Sequence, residues 1–455
     1  MRGVEFAHWR QGDTVQLSMF DTSVVSSRTA TNGSANKVAS DDRRFHDWYR
    51  FVLSFPPHLV RDYFQRFGLQ PGDTVLDPFC GTGTTLVEAK LNGIQSIGIE
   101  ANSMAHFASS VKVDWCIDPN ELRENSYWVA HMANRQVAEA PCGGLRTLAA
   151  GAYSLLLKGS ISPVPMHKSL ILLESIRTNG HPNLRRHQLL AFAKALVVSA
   201  SNLHFGPEVG VLKKKRTDAP VVESWLAEID NMVYALTSVS CRTTPAMVHN
   251  ADAREITNLL RRESIDGVFT SPPYPNEKDY TRTTRLESVM LGFINNKDEL
   301  RLMKSKLLRS NTRNVYKGDS DDEWITGFPA IQQIADEIEA RRLALGKTSG
   351  FERQYARVTK LYFGGMARHF STLRSVLKSG AYLGYVVGDQ ASYLQVMIRT
   401  GELLAEIARS LGYRVVGIDL FRTRLATATR KQLREEVVVL QWPGFAPGEA
   451  NARKA

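Results

Sequence analysis

The tetrapeptide Ser271-Pro272-Pro273-Tyr274 has the residue types to hold and activate an amino group. It follows Ile265–Thr270, which reads as a buried strand. Two prolines in a row stop the hydrogen-bonding ladder there and fix the backbone direction. They bring no N–H, so the Ser271 hydroxyl and the Pro272 carbonyl are expected to point outward as acceptors. Tyr274 adds an aromatic face for stacking. Two acceptors beside a ring platform match the exocyclic amine of a base, which carries two protons. The lone pair of that amine is delocalised into the ring. Hydrogen bonds drawing on both protons push the nitrogen toward tetrahedral geometry and free the pair for in-line attack, an acceleration that comes largely from positioning.

A second constellation lies upstream, in Thr74 to Thr85. Val75 and Leu76 read as a buried strand with Asp77 at its carboxyl end, followed by Pro78, Phe79 and Cys80. Gly81 and Gly83 let backbone come close to a ligand. Thr84 or Thr85 is expected to cap the helix that continues through Ala89. A ligand beside this turn would meet free N–H groups at a helix start. The next strand, Ser96 to Ile99, ends on Glu100, placed to accept hydrogen bonds from two ribose hydroxyls. The turn has too few glycines for a dinucleotide loop and lacks the lysine of a phosphate loop. The ligand is therefore expected to be a nucleoside without a pyrophosphate.

These two motifs resemble motif I (D-P-F-x-G-[ST]-G-T) and motif IV (S-P-P-Y) of the S-adenosylmethionine-dependent DNA amino-methyltransferases. The resemblance implies S-adenosylmethionine as cofactor, with Asp77, Phe79, Gly81, Gly83 and Thr84 at its methionine and ribose end. It assigns Glu100 to the ribose and Asp252, after the third strand, to the adenine amine. An Asp capping the following helix would look the same. The stretch Phe55 to Val60 resembles motif X, which helps enclose the methionine end. Ser271, Pro272, Pro273 and Tyr274 become the catalytic set. Family members with Ser in first place mostly make N4-methylcytosine, and those with Asp or Asn mostly make N6-methyladenine. The target base would have to be flipped out of a duplex to reach such a pocket.

The elements that must position these residues alternate, strand then helix, as in a doubly wound α/β domain. The resemblance implies a Rossmann-like, seven-stranded methyltransferase sheet, interrupted by a helical and a basic insertion. We read residues 1–40 as a flexible segment and 41–114 as the first part of the core. Residues 115–240 read as a mainly helical insertion without alternating strands, and 241–294 as the second part of the core. Residues 295–352 form a basic insertion with Arg301, Lys304, Lys306, Arg309, Arg313 and Lys317, a candidate DNA-recognition region. Residues 353–445 complete the core, with a helix expected over Tyr362–Leu377 and an edge hairpin from Arg414–Ile418 and Glu436–Leu440. Residues 446–455 read as a loose tail. Glu100 and Asp252 stand much further apart than a regular unit requires, so either insertion could read sequence.

Composition bounds the partners. The net charge of +11 and a pI near 9.4 favour a polyanion, and Lys213 to Arg216 adds a second basic run. DNA is the expected partner, with room for a restriction or defence-system protein. No apolar run is long enough to span a membrane, and the start lacks a signal-peptide core, so a cytoplasmic location is expected. Four scattered cysteines suggest neither a disulfide framework nor a zinc site. Three other activities share parts of the pattern. A tRNA guanine-N2 methyltransferase also carries D-P-F-C-G-T-G-T, but its second motif usually begins with Asp. A cytosine-C5 enzyme needs a Pro-Cys nucleophile, and Pro141-Cys142 lies outside the expected place. A non-catalytic DNA-binding subunit could keep the fold.

Overall fold

The structure, a computed structural model, describes residues 42–49, 54–140, 144–205, 208–239, 243–276, 278–425 and 432–445. The readings on residues 1–40, Cys142, Cys241 and the 446–455 tail lie outside these. The strands are β1 (Thr74–Asp77), β2 (Gln95–Ile99), β3 (Leu203–Phe205), β4 (Val209–Val211), β5 (Ala246–His249), β6 (Ile265–Thr270), β7 (Leu377–Gly388), β8 (Arg414–Leu425) and β9 (Gln432–Gln441). Seven of them form one sheet in the order β5-β2-β1-β6-β7-β9-β8. Pairing is parallel from β5 across to β7 and antiparallel where β9 meets β7 and β8. The mostly parallel, seven-stranded expectation holds, and so does the antiparallel edge hairpin.

Side-chain alternation in the strands sorts the core into two faces. Val75, Phe269, Val386 and Val437 pack under Leu59, Val60, Tyr63 and Phe64 of the helix Pro57–Phe67. Proline opens that helix at its first position, where the missing N–H costs nothing. Gly68 ends it in the left-handed region, at φ +69°. On the opposite face Leu76, Val268, Tyr385 and Val438 pack under Tyr362, Met366 and Phe370 of the helix Tyr355–Leu373, joined by Leu404 of the helix Thr400–Ser410. The helix expected over Tyr362–Leu377 therefore starts and ends earlier. Val376 and Leu377 extend its apolar pattern, but they are buried where the chain turns into β7.

Between β2 and β5 the chain runs through the helices Ser103–Lys112, Pro119–Glu139, Pro163–Asn179, Arg185–Ala195 and Val221–Thr237. It also forms a hairpin, β3 with β4, which the reading of a mainly helical insertion did not include. Three-residue strands are too short to show a period in the sequence. Between β6 and β7 lie the helices Arg285–Met290, Lys297–Ser305 and Pro329–Ala344, with 3-10 turns at Thr312–Asn314 and Asp321–Ile325.

Candidate functional site

The two motifs meet because β1 and β6 are neighbours, with Val75 opposite Gly267 and Leu76 opposite Val268. Parallel strands put both carboxyl ends at one edge of the sheet. There the Thr270 hydroxyl donates to Asp77 Oδ1 at 2.5 Å, and Ser271 follows at once. A cleft of about 880 Å³ opens at this edge. Its wall includes Phe79, Gly81, Thr84, Glu100, Asp252 and all four residues from Ser271 to Tyr274. Phe55 of the Phe55–Val60 stretch also reaches it.

Asp77 and Gly83 do not form the wall, which departs from the expectation that they line it. Asp77 is fully buried behind the turn, and its Oδ2 has no hydrogen-bond partner among the described residues. Burial pushes its carboxyl up to about 6, against the opposing hydrogen bond from Thr270. Gly83 has φ +82°, and a Cβ there would stand 3.0 Å from Ser109 Cβ. Its glycine is required by that conformation and that close helix approach rather than by a ligand. Gly83 is also the N-cap of the helix Thr84–Leu91, with no side-chain cap. This corrects the capping role expected of Thr84 or Thr85, which are its first helical residues. Thr85 instead donates to the Phe269 carbonyl at 3.2 Å, tying the turn to β6.

Glu100 follows β2 and faces the cleft. Its Oε2 accepts from the Gly81 N–H at 2.9 Å and its Oε1 from the Asn102 N–H at 2.7 Å. Burial raises it to about 7, although those two N–H donors favour the charged form. Each oxygen keeps a free lone pair, which is what a pair of vicinal hydroxyls requires. Asp252 is more heavily committed. Arg254 grips it with Nε at 2.9 Å from Oδ1 and Nη2 at 2.6 Å from Oδ2, and the Arg254 N–H donates at 2.9 Å. An amine arriving at Asp252 must share an occupied carboxylate. The loop carrying it is fixed from behind by His369, whose ring spans the Ala253 carbonyl at 2.8 Å and the Tyr385 hydroxyl at 2.7 Å. Burial pulls His369 down to about 4. The neutral ring therefore donates from Nδ1 to the carbonyl and accepts from Tyr385 at Nε2.

Ser271 Oγ donates to the Val386 carbonyl of β7 at 3.0 Å. Its proton is thereby used on the protein, and the Tyr274 phenol is a second side-chain partner, so at least one lone pair remains as an acceptor. The Tyr274 ring lies against the end of β7, where a Cβ on Gly388 would come within 3.1 Å of it. Burial pushes its phenol above the usual range.

The sequence reading missed several wall residues. Phe205, Glu208 and Val209 come from the β3–β4 hairpin, Arg422 and Arg424 from β8, and Tyr49 and Glu287 face the turn end. Glu287 had a legible signal, the one acid in the short helix Arg285–Met290, between Leu286 and the Ser288-Val289-Met290 run. Of the six named cations of the basic insertion, Lys306 and Arg313 reach the cleft. Lys304 and Arg309 are buried in ion pairs with Asp279 and Asp319, both at 2.8 Å, so these two are not free to hold DNA. Arg216 is likewise turned inward, donating to the Ser199 carbonyl at 2.8 Å.

The family model described as DNA methylase matches residues 12–109. The Type II methyltransferase M.BsoBI of Geobacillus stearothermophilus is 24% identical over 454 residues, covering 89% of this chain and 87% of that protein. M.AvaI of Anabaena variabilis, another Type II methyltransferase, is 24% identical over 460 residues, 92% of this chain and 89% of its own length. A tRNA (guanine(10)-N2)-dimethyltransferase of Methanothermobacter thermautotrophicus is 45% identical over 47 residues, 10% of this chain and 14% of that protein. The long matches extend into both insertions, whereas the last covers a short stretch. The resemblance to the amino-methyltransferases drawn from the motifs is borne out.

Proposed function

We propose that this amino-methyltransferase is a site-specific DNA methyltransferase, moving a methyl group from S-adenosylmethionine to the exocyclic amine of a flipped base. We further propose that the base is cytosine and the product N4-methylcytosine. The observation carrying this reading is the Ser271 hydroxyl, which spends its proton on Val386 and keeps an acceptor lone pair in the cleft that also holds Glu100. DNA as substrate is supported by the matched DNA methylase family and by the Type II methyltransferases that align along the chain.

The residues fit the cofactor. Glu100 offers two acceptors to the ribose hydroxyls, while Asp77 stands behind the turn and supports it through Thr270. Phe79 and Gly81 line the cleft with Glu100, and Asp252 is on the same wall. S-adenosylmethionine, when bound, supplies an electrophilic methyl group. The chain's own part is to hold the amine. Ser271 Oγ and the Pro272 carbonyl each accept one amine proton, Tyr274 stacks on the flipped base, and the nitrogen lone pair is left facing the methyl. The proton leaves late, so no strong general base is needed. Ser271 in first place accords with the cytosine tendency, and adenine is the alternative the same geometry would serve.

The deciding experiment supplies labelled cofactor with DNA or with tRNA and identifies the methylated nucleoside by mass spectrometry. N4-methylcytosine in DNA is the expected product. N6-methyladenine alone would overturn the base and keep the mechanism. Label in tRNA and none in DNA would overturn the substrate.

A further inference from the structure

Buried carboxylates in this protein come with cations. Arg61 holds Glu88 at 2.8 Å, Lys304 holds Asp279 at 2.8 Å, and Arg254 holds Asp321. Arg434 serves both Asp389 and Glu436 at 3.0 Å, and Arg422 holds Glu435 at 2.6 Å. Among the described residues two buried carboxylates break the pattern, Asp77 and Glu287. Glu287 is 1% exposed and lies on the cleft wall. Its Oε1 accepts from the Tyr49 hydroxyl at 2.5 Å, and its Oε2 has no partner. An isolated carboxylate is expensive to bury unless a positive group completes it.

Its neighbours locate it along the cleft. Lys112 Nζ donates to the Tyr49 carbonyl at 3.3 Å and to the Thr82 carbonyl at 2.8 Å, so Tyr49 stands beside the glycine turn. Asn102, two residues past Glu100, donates to Thr284 Oγ1 at 3.2 Å, at the start of the Glu287 helix. Glu287 thus sits between the turn and the loop of the proposed ribose acid. The cofactor's methionyl end would lie there, and its α-ammonium is a cation with hydrogen bonds to give.

We propose that Glu287 receives the α-ammonium of the cofactor, with Tyr49 fixing the carboxylate that accepts it. This assignment rests on the cofactor reading above. The methionyl end is then recognised by charge as well as shape, and analogues without the amino acid forgo that recognition.

Calorimetry with two ligands tests it. S-adenosylhomocysteine carries the α-ammonium, and 5′-methylthioadenosine lacks the whole amino acid. Glu287→Gln should weaken S-adenosylhomocysteine by about tenfold or more and leave methylthioadenosine within about twofold, as expected for loss of one charge-assisted hydrogen bond. Tyr49→Phe, which keeps the carboxylate and frees it, should give a smaller loss with the same selectivity, and it serves if the glutamine variant fails to fold. Equal losses for both ligands, or none for either, would overturn the assignment. Glu100→Ala should weaken both ligands. A wild-type protein that binds neither would overturn the cofactor reading itself, and this assignment with it.

Discussion

The two insertions flank the same cleft and both bury apolar residues, but the second adds buried ion pairs. The helical one between β2 and β5 is held by apolar burial. Trp225, Phe192, Ile229 and Leu172 share a single cluster with Phe45, Met104 and Trp115 near the sheet. The one between β6 and β7 also buries Ile325, Ile331 and Ile338 with Tyr362 and Phe370, and it adds buried ion pairs: Lys304 with Asp279, Arg309 with Asp319, and Asp321 with Arg254. The Arg309 and Lys304 side chains are only 5% and 10% exposed. A count of cations therefore overstates the charge this insertion can offer a polyanion. Arg301, Lys306 and Lys317 remain at least partly exposed, and Arg313 is half-buried at the cleft wall.

The comparison can be broken most sharply at the apolar end. Trp225 is fully buried and donates from Nε1 to the Gln188 carbonyl at 2.9 Å. Trp225→Ala should cost about 3–5 kcal/mol, read as a large fall in the denaturant midpoint. A change below about 1 kcal/mol would mean the insertion is not held by this core.

A smaller loss is expected at the ionic end. Asp321→Ala removes one carboxylate from Arg254, which keeps Asp252, and also releases Arg368 at 3.4 Å. The cost should be about 2 kcal/mol, the scale of a hydrogen bond to a charged group. The same midpoint measurement checks it. A loss matching that of Trp225→Ala would erase the distinction between the two insertions.

The smallest effect separates structural from partner-facing cations. Lys306→Glu with Arg313→Glu should weaken DNA binding several-fold and leave the denaturant midpoint nearly unchanged. For each phosphate that is no longer neutralised, the slope of log affinity against log salt should flatten by about 0.9. An unchanged slope would send DNA elsewhere.

Legibility followed the same division. Strand runs such as Ile265–Thr270 and turn signals such as Gly81 and Gly83 are local, so the sheet and the meeting of its two motifs could be read from the chain. The β3–β4 hairpin could not, because its strands are three residues each. Neither could the inward turn of Lys304 and Arg309, since their partners Asp279 and Asp319 are chosen by the fold. Asp252 does stand at the cleft, but its grip by Arg254 depends on a side-chain geometry no motif records. Glu287 was readable as a lone acid in a short helix, yet only the lack of a cation paired with it among the described residues makes that meaningful.

The proposed role of Ser271 is to act on the amine and not on the cofactor. Ser271→Ala should be followed by single-turnover methylation of DNA alongside calorimetry with S-adenosylhomocysteine. Removing one acceptor that matters only as the amine reacts should slow turnover by about 10²–10³, while cofactor affinity stays within about twofold. Full turnover in the variant, or a parallel loss of cofactor affinity, would contradict it.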